Sequence, residues 1–198
     1  LSLAASNSPE RLHLILVDFK GGAAFGPLTA LPHCVGLLTD LDRAGAERAL
    51  GSLRAQLTRR EEVLAAAGCR DIGSLDAADP GRLPRLLVVV DEFRAFADDH
   101  PDLLENFQRL AAQGRSLGVH LVVATQRPAG AVPSDLRANL SARLCLRVAE
   151  AADSSEVIGD PAAARLPSIP GRAILATDRH RTLQVAWAGT QEHVEDVV

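Results

Sequence analysis

Leu86-Leu87-Val88-Val89-Val90-Asp91-Glu92 joins five apolar residues to two consecutive acids. A run of this length, rich in branched side chains and without polar alternation, suits a strand buried on both faces of a parallel sheet. Two adjacent carboxylates are costly to bury without a cation. The strand therefore ends either at solvent or at a site that needs negative charge.

Similar runs lie on both sides. Leu12–Val17 ends in Asp18 with Lys20 close behind, Val35–Leu38 closes on Thr39-Asp40, and His120–Ala124 runs into Thr125-Gln126-Arg127-Pro128. Helical patterns come between them. Asp40 or Asp42 can cap a helix reaching about Ala67, where Leu50, Leu53, Leu57 and Leu64 recur at helical spacing and Gly68 stops it. Residues 69–84 hold several Gly, Pro and Asp and read as a surface loop. Asp102 is expected to cap a second helix, with Leu103, Leu104, Phe107 and Leu110 on one face and Gly118 at its end. After a short helix near Ser134–Leu140, Arg143–Val148 alternates charged and apolar residues as an edge strand does, and Ser154–Ile158 is a helical turn. Pro167–Gly171 leads into a hairpin of Arg172–Thr177 with Thr182–Trp187, joined by residues 178–181, and Trp187 is expected to pack on the sheet edge. Strands alternating with helices predict an α/β fold: a mainly parallel central sheet flanked by helices, with a C-terminal β-hairpin, in one domain.

Composition narrows the functional classes. Apolar residues make up 47% of the 198 and no tract is of low complexity, which argues against a disordered chain. Cys34, Cys69 and Cys145 show neither CxxC nor metal-ligand spacing, which points to reduced thiols and a cytoplasmic setting. No apolar run approaches the roughly 20 residues that span a bilayer, and no signal peptide opens the chain. Any membrane link is expected to come from regions outside it. The net charge of −4 speaks against a surface that coats nucleic acid all over, although a local basic strip is compatible with it. Lys20 is the sole lysine among 21 basic residues, a bias that GC-rich coding explains without a functional arginine surface. The chain opens on Leu1 and contains no methionine, so it is expected to be a fragment.

In a parallel α/β sheet, ligands bind beyond the carboxyl ends of the strands, and three such ends here are polar. An apolar run closed by Asp-Glu has the Walker B form. Asp91 would hold a hydrated magnesium ion against nucleotide phosphates, and Glu92 would orient and polarise the attacking water. Thr125 and Gln126 follow the next strand, where a polar side chain can reach a terminal phosphate. The simpler readings are a solvated strand end and an ordinary polar turn.

Three stretches then carry a family resemblance: LILVDFKGGAAF (Leu14–Phe25), LLVVVDEF (Leu86–Phe93) and GRSLGVHLVVATQRP (Gly114–Pro128). In order and spacing they resemble FtsK/SpoIIIE-domain ATPases, motors of the HerA/FtsK type. They are particularly similar to actinobacterial members such as the EccC motors of type VII secretion. The resemblance covers roughly Ser6 to Ile174 and implies a RecA-like P-loop NTPase core that hydrolyses ATP with Mg2+. It implies Asp91 as the magnesium-side acid, Glu92 as the base, Gln126 as the γ-phosphate sensor and Thr125 as its support. It also implies a homo-oligomer, a hexameric ring in which a neighbour supplies an arginine finger. Arg48 matches the EccC-type finger, and Arg115 is the second candidate.

Asp18, Lys20, Gly21 and Gly22 mark the VDFKGG segment, a family marker near the nucleotide site or ring interface. Lys20 is followed by glycine, and no G-x-x-x-x-G-K-[ST] loop occurs in the chain. The chain is thus expected to be a single partial domain, residues 1–198, without its P-loop and the strand and helix that carry it. The cargo stays open between protein and double-stranded DNA. The Leu31–His33 and Thr58–Gly68 segments look EccC-like, whereas Ala124–Pro128 is shared with DNA translocases. A non-catalytic module acting as an assembly platform is the alternative to a motor.

Overall fold

The computed structural model describes residues 1–19, 25–39 and 42–187. Strand β1 (Leu12–Asp18) is the centre from which the larger sheet is built. It pairs in parallel with β2 (Cys34–Thr39) on one side and with β3 (Arg85–Asp91) on the other, and β3 pairs in parallel with β4 (Val119–Val123). The order is therefore β2-β1-β3-β4. Along β3, Leu86, Val88 and Val90 are buried while Leu87 and Val89 are half-buried. Its apolar run thus serves two faces of unequal cover.

The better-covered face carries the main core. Helix α2 (Arg43–Ala66) starts at Asp42, whose carboxylate accepts the Gly45 N–H at 2.7 Å, and buries Leu50, Leu53, Leu57 and Leu64. Its start and periodicity match the sequence reading; Asp40 lies outside the described residues. Helix α5 (Leu104–Leu117) packs beside α2 and against β4, burying Phe107, Leu110 and Leu117. Gly118, at φ 74°, ends it in the left-handed region that only glycine adopts without strain. Arg60 ties these parts together at the amino end of the sheet, donating to the Leu117 carbonyl at 3.0 Å and the Pro84 carbonyl at 2.6 Å. Burial first, then the nearby charges of Arg59 and Arg85, push its pKa down to about 10, so it remains cationic at neutral pH. Across the sheet, the short helix α1 (Ser2–Ser6) and the 3₁₀ turn Gly26–Ala30 flank a smaller cluster of Leu12, Leu14, Leu16 and Leu31.

Four local expectations are corrected. Residues 69–84 are not all loop, because α3 (Ile72–Ala78) forms there and buries Ile72 and Leu75. An Asp71–Ser74 capping box starts it, each residue satisfying the other's backbone N–H. Asp102 does not cap α5; it sits in a 3₁₀ turn, Pro101–Leu103, and pairs with Arg43 on α2 at 2.6 Å. Helix α4 (Phe93–Asp99) follows β3 directly, a segment with no predicted helix. Trp187 is 81% exposed rather than packed on the sheet edge.

The C-terminal part forms its own sheet. After α6 (Ser134–Ala138), β5 (Arg143–Leu146) pairs antiparallel with β6 (Arg172–Ala176), which pairs antiparallel with β7 (His180–Gln184). The hairpin is present with a tighter turn, since His180 already pairs with Ala176. β5 is an edge strand, as its alternation predicts, but of this second sheet. Helix α7 (Ala151–Ile158) and the 3₁₀ turn Pro161–Arg165 cover one face, enclosing Cys145, Ile158, Ala163, Ile174 and Ala176. Burial raises the Cys145 thiol pKa above its ordinary value, helped by the charge of Asp153.

Candidate functional site

Parallel strands end at the same side of a sheet, and this side gathers the expected residues. Asp18 and Asp91 are register partners on neighbouring strands, so their carboxylates stand side by side at the carboxyl edge. Asp18 is 4% exposed and Asp91 is half-buried. The next residue, Glu92, is 6% exposed and adopts φ 51°, ψ 43°. It has the sole positive φ among the described non-glycine residues. Holding a long side chain in the left-handed region costs free energy, and such outliers cluster at functional sites. The kink is held from both sides. Asp91 Oδ1 accepts the Glu92 N–H at 2.9 Å, and α4 starts immediately, with the Ala95 N–H donating to the Glu92 carbonyl at 2.8 Å.

The neighbouring strand is zipped to this kink. The Ala124 N–H donates to the Val90 carbonyl at 2.8 Å, and the Phe93 N–H to the Ala124 carbonyl at 2.9 Å. Thr125 comes next, half-buried; its hydroxyl accepts the Arg127 N–H and lies 3.2 Å from the Arg127 carbonyl. This turn presents Gln126, which is exposed and makes no side-chain hydrogen bond among the described residues. Thus Asp91, Glu92, Thr125 and Gln126 come to one end of two adjacent strands. The sequence singles out these four, but not the buried setting of Asp18 or the helix that follows Glu92.

The two arginines stand elsewhere. Arg48 is exposed on α2, six residues past its Asp42 cap, and forms no ion pair among the described residues. Arg115 lies in the last turn of α5, before the amino end of β4 and opposite the acidic edge. There, partial burial and the charges of Arg85, Arg115 and Arg60 lower the pKa of His120 below its ordinary value. Lys20, Gly21 and Gly22 lie outside the described residues.

Chemically, the acidic edge suits a hard, hydrated cation. Magnesium keeps several of its waters and takes one or two protein carboxylates, with substrate oxygens completing its shell. Asp91, half-buried and beside Asp18, fits that demand. Glu92, next to it, is largely withdrawn from bulk water.

The parallel sheet flanked by helices is the fold of the RecA-like α/β class. The sequence matches the model of the FtsK/SpoIIIE family over residues 1–80 and 74–130, and the chain belongs to that family. Among curated relatives it is 34% identical over 208 aligned positions, 98% of this chain, to the type VII secretion system protein EssC of Staphylococcus aureus (strain NCTC 8325 / PS 47). It is 37% identical over 187 positions, 89% of this chain, to the ESX-4 secretion system protein EccC4 of Mycobacterium tuberculosis (strain ATCC 25618 / H37Rv). It spans only 14% and 15% of the lengths of those proteins. Among solved structures, the cytoplasmic domain of the Thermomonospora curvata type VII secretion ATPase EccC superimposes with a TM-score of 0.85 at 32% identity, covering 98% of this chain and 25% of that one. Among the described residues, no helix is long and apolar enough to cross a membrane.

Proposed function

We propose that this chain is the metal, base and sensor side of an ATP-hydrolysing FtsK/SpoIIIE-type motor that moves protein substrates in type VII secretion. The observation that carries the reading is the strained, buried Glu92 between Asp91 and α4, one strand away from Gln126. In this reading Asp91 binds hydrated Mg2+ on ATP, Glu92 is the general base, and Gln126, supported by Thr125, senses the γ-phosphate. From the family resemblance alone we also assign phosphate binding to Lys20, which lies outside the described residues.

The phosphate-binding loop is supplied by chain outside these residues. Two open sheet edges support this. The outer edges of β4 and β5 are unpaired among the described residues, and Val122, Leu144 and Leu146 beside them are 44%, 49% and 51% exposed. A strand that paired with both would join the two sheets into one. The motor assembles as a ring of like subunits, a hexamer in which Arg48 reaches the neighbour's nucleotide; an arginine at developing phosphate charge is worth orders of magnitude in rate. It works in the cytoplasm, with any membrane anchor in another part of the parent protein. The secretion relatives favour protein over double-stranded DNA as cargo.

The test is Glu92→Gln in the full-length protein. ATP binding should persist while turnover falls about 10²–10⁴-fold, the usual worth of a general base. Undiminished turnover would remove Glu92 from the mechanism. Stimulation of the wild-type ATPase by a secreted peptide, and not by duplex DNA, is the expected cargo result; the reverse would assign it to DNA translocation.

A further inference from the structure

We propose that Arg94 is a positioning residue that locks the Gln126 loop to the helix that follows Glu92, so that base and sensor move as one body. This rests on the reading of Glu92 and Gln126 given above. Arg94 lies in the first turn of α4, two residues past Glu92. Its Nε lies 2.9 and 2.8 Å from the two oxygens of Asp98 one turn on, and its Nη1 donates to the Ala129 carbonyl at 2.6 Å. Asp98, the exposed partner one turn on, orients the guanidinium plane and with it the Nη1 that crosses to the loop.

The loop needs such a tie. From Ala124 onward the β3–β4 ladder is finished, and the chain turns on local bonds: Thr125 with Arg127, and the Ala131 N–H to the Pro128 carbonyl at 3.1 Å. Ala131, fully buried, anchors its far end. Gln126 rides on the arch between Ala124 and Ala129, two points that are both bonded to α4, through the Phe93 N–H and through Arg94. The first tie is backbone and independent of sequence. The second is a side-chain tie, removable by one substitution. Without it the arch can shift relative to Glu92 while both strands stay paired. Misplacement by an ångström of a group that orients reactants can cost about 100-fold in rate.

In the full-length protein, Arg94→Ala is expected to lower kcat about 10- to 100-fold, the scale of such misplacement, with little change in the KM for ATP. The amide-exchange protection of β3 and β4 should be unaltered. Arg94→Lys, which keeps the cation and the reach but not the two bonds to Asp98, should recover part of the loss. Asp98→Asn should produce a weaker form of the same defect. The decisive comparison is with Gln126→Ala: the double variant Arg94→Ala/Gln126→Ala should be no slower than Gln126→Ala alone, since Arg94 acts through that loop. Wild-type kcat in Arg94→Ala, or losses that multiply in the double variant, would overturn the proposal. Should Arg94→Ala fail to fold, Asp98→Asn combined with Gln126→Ala puts the tie to the same test, with the same two outcomes. Glu92→Gln is measured alongside: turnover surviving there refutes the assignment of the base, whereas an independent Arg94 effect refutes only the tie.

Discussion

The two sheets of this molecule differ in strand direction, and with it in what their strand ends gather. In the parallel sheet, β1, β3 and β4 all run the same way, so Asp18, Asp91, Glu92 and Thr125 collect at one edge. In the antiparallel sheet, successive strands reverse, so the strand ends scatter to both sides. No expected site residue lies in it. The covers differ as well. One face of the parallel sheet joins a core that includes Phe93, Phe96 and Phe107, contributed by α4 and α5. The antiparallel sheet encloses five buried residues of modest size under α7 and one 3₁₀ turn. Strand direction thus places the chemistry, and core size decides how firmly it is held.

That contrast can be broken most directly at Phe96. Its ring packs at 4.8 Å from Phe19, 6.0 Å from Phe93 and 5.0 Å from Phe107, and it is 1% exposed. Phe96→Ala should cost about 3–5 kcal/mol, the range for a buried aromatic. Hydrogen exchange should show protection lost across β1, β3 and β4 together. Loss confined to α4 would mean that the aromatic cluster is not what unites the parallel layer.

Ile174→Ala probes the other side of the contrast. It should cost about 2–4 kcal/mol and raise exchange in β5, β6 and β7 while leaving β1 and β3 protected. If the parallel sheet opened with it, the two sheets would be one cooperative unit. Gly114→Ala tests the α5–β4 joint on a smaller scale. An added Cβ would meet the Val119 carbonyl oxygen at 2.6 Å, so a cost of about 1–3 kcal/mol from overpacking is expected. Faster exchange should begin at the amino end of β4.

The smallest effect concerns acidity at that same end. Folding lowers the pKa of His120 below its ordinary 6.5, so the unfolded chain takes up protons more readily as pH falls past that value. Stability should therefore decline shallowly as pH drops from about 6.5 through the folded value, less so at high salt, which screens the charges of Arg85, Arg115 and Arg60. Melting curves of His120→Gln should show a flatter dependence over this window. An unchanged slope would shift the acid sensitivity to another group.

Much of the fold and site is legible in the sequence for reasons that can be named. Apolar runs of five or six residues find few places other than a covered strand, and leucines at helical spacing with Asp42 before them and Gly68 after them leave little choice for α2. Helix α3 is hidden because the Gly, Pro and Asp around it are loop-forming on average. The signal that reveals it is the Asp71–Ser74 box with Ile72 and Leu75 on one side. Helix α4 is hidden by the acids before it. Its marks are Phe93 and Phe96 at helical spacing and the Arg94–Asp98 pair one turn apart.

By itself, then, the sequence determined the strands, their polar ends and the family, because burial patterns and short motifs are local properties of the chain. Register and strand order belong to the tertiary structure alone. They put Asp18 beside Asp91, bent Glu92 into the left-handed region, and joined Arg94 to a carbonyl 35 residues away. Each of these depends on which strands lie next to each other and how they are aligned, and pairing between distant segments leaves no periodic trace in a single chain.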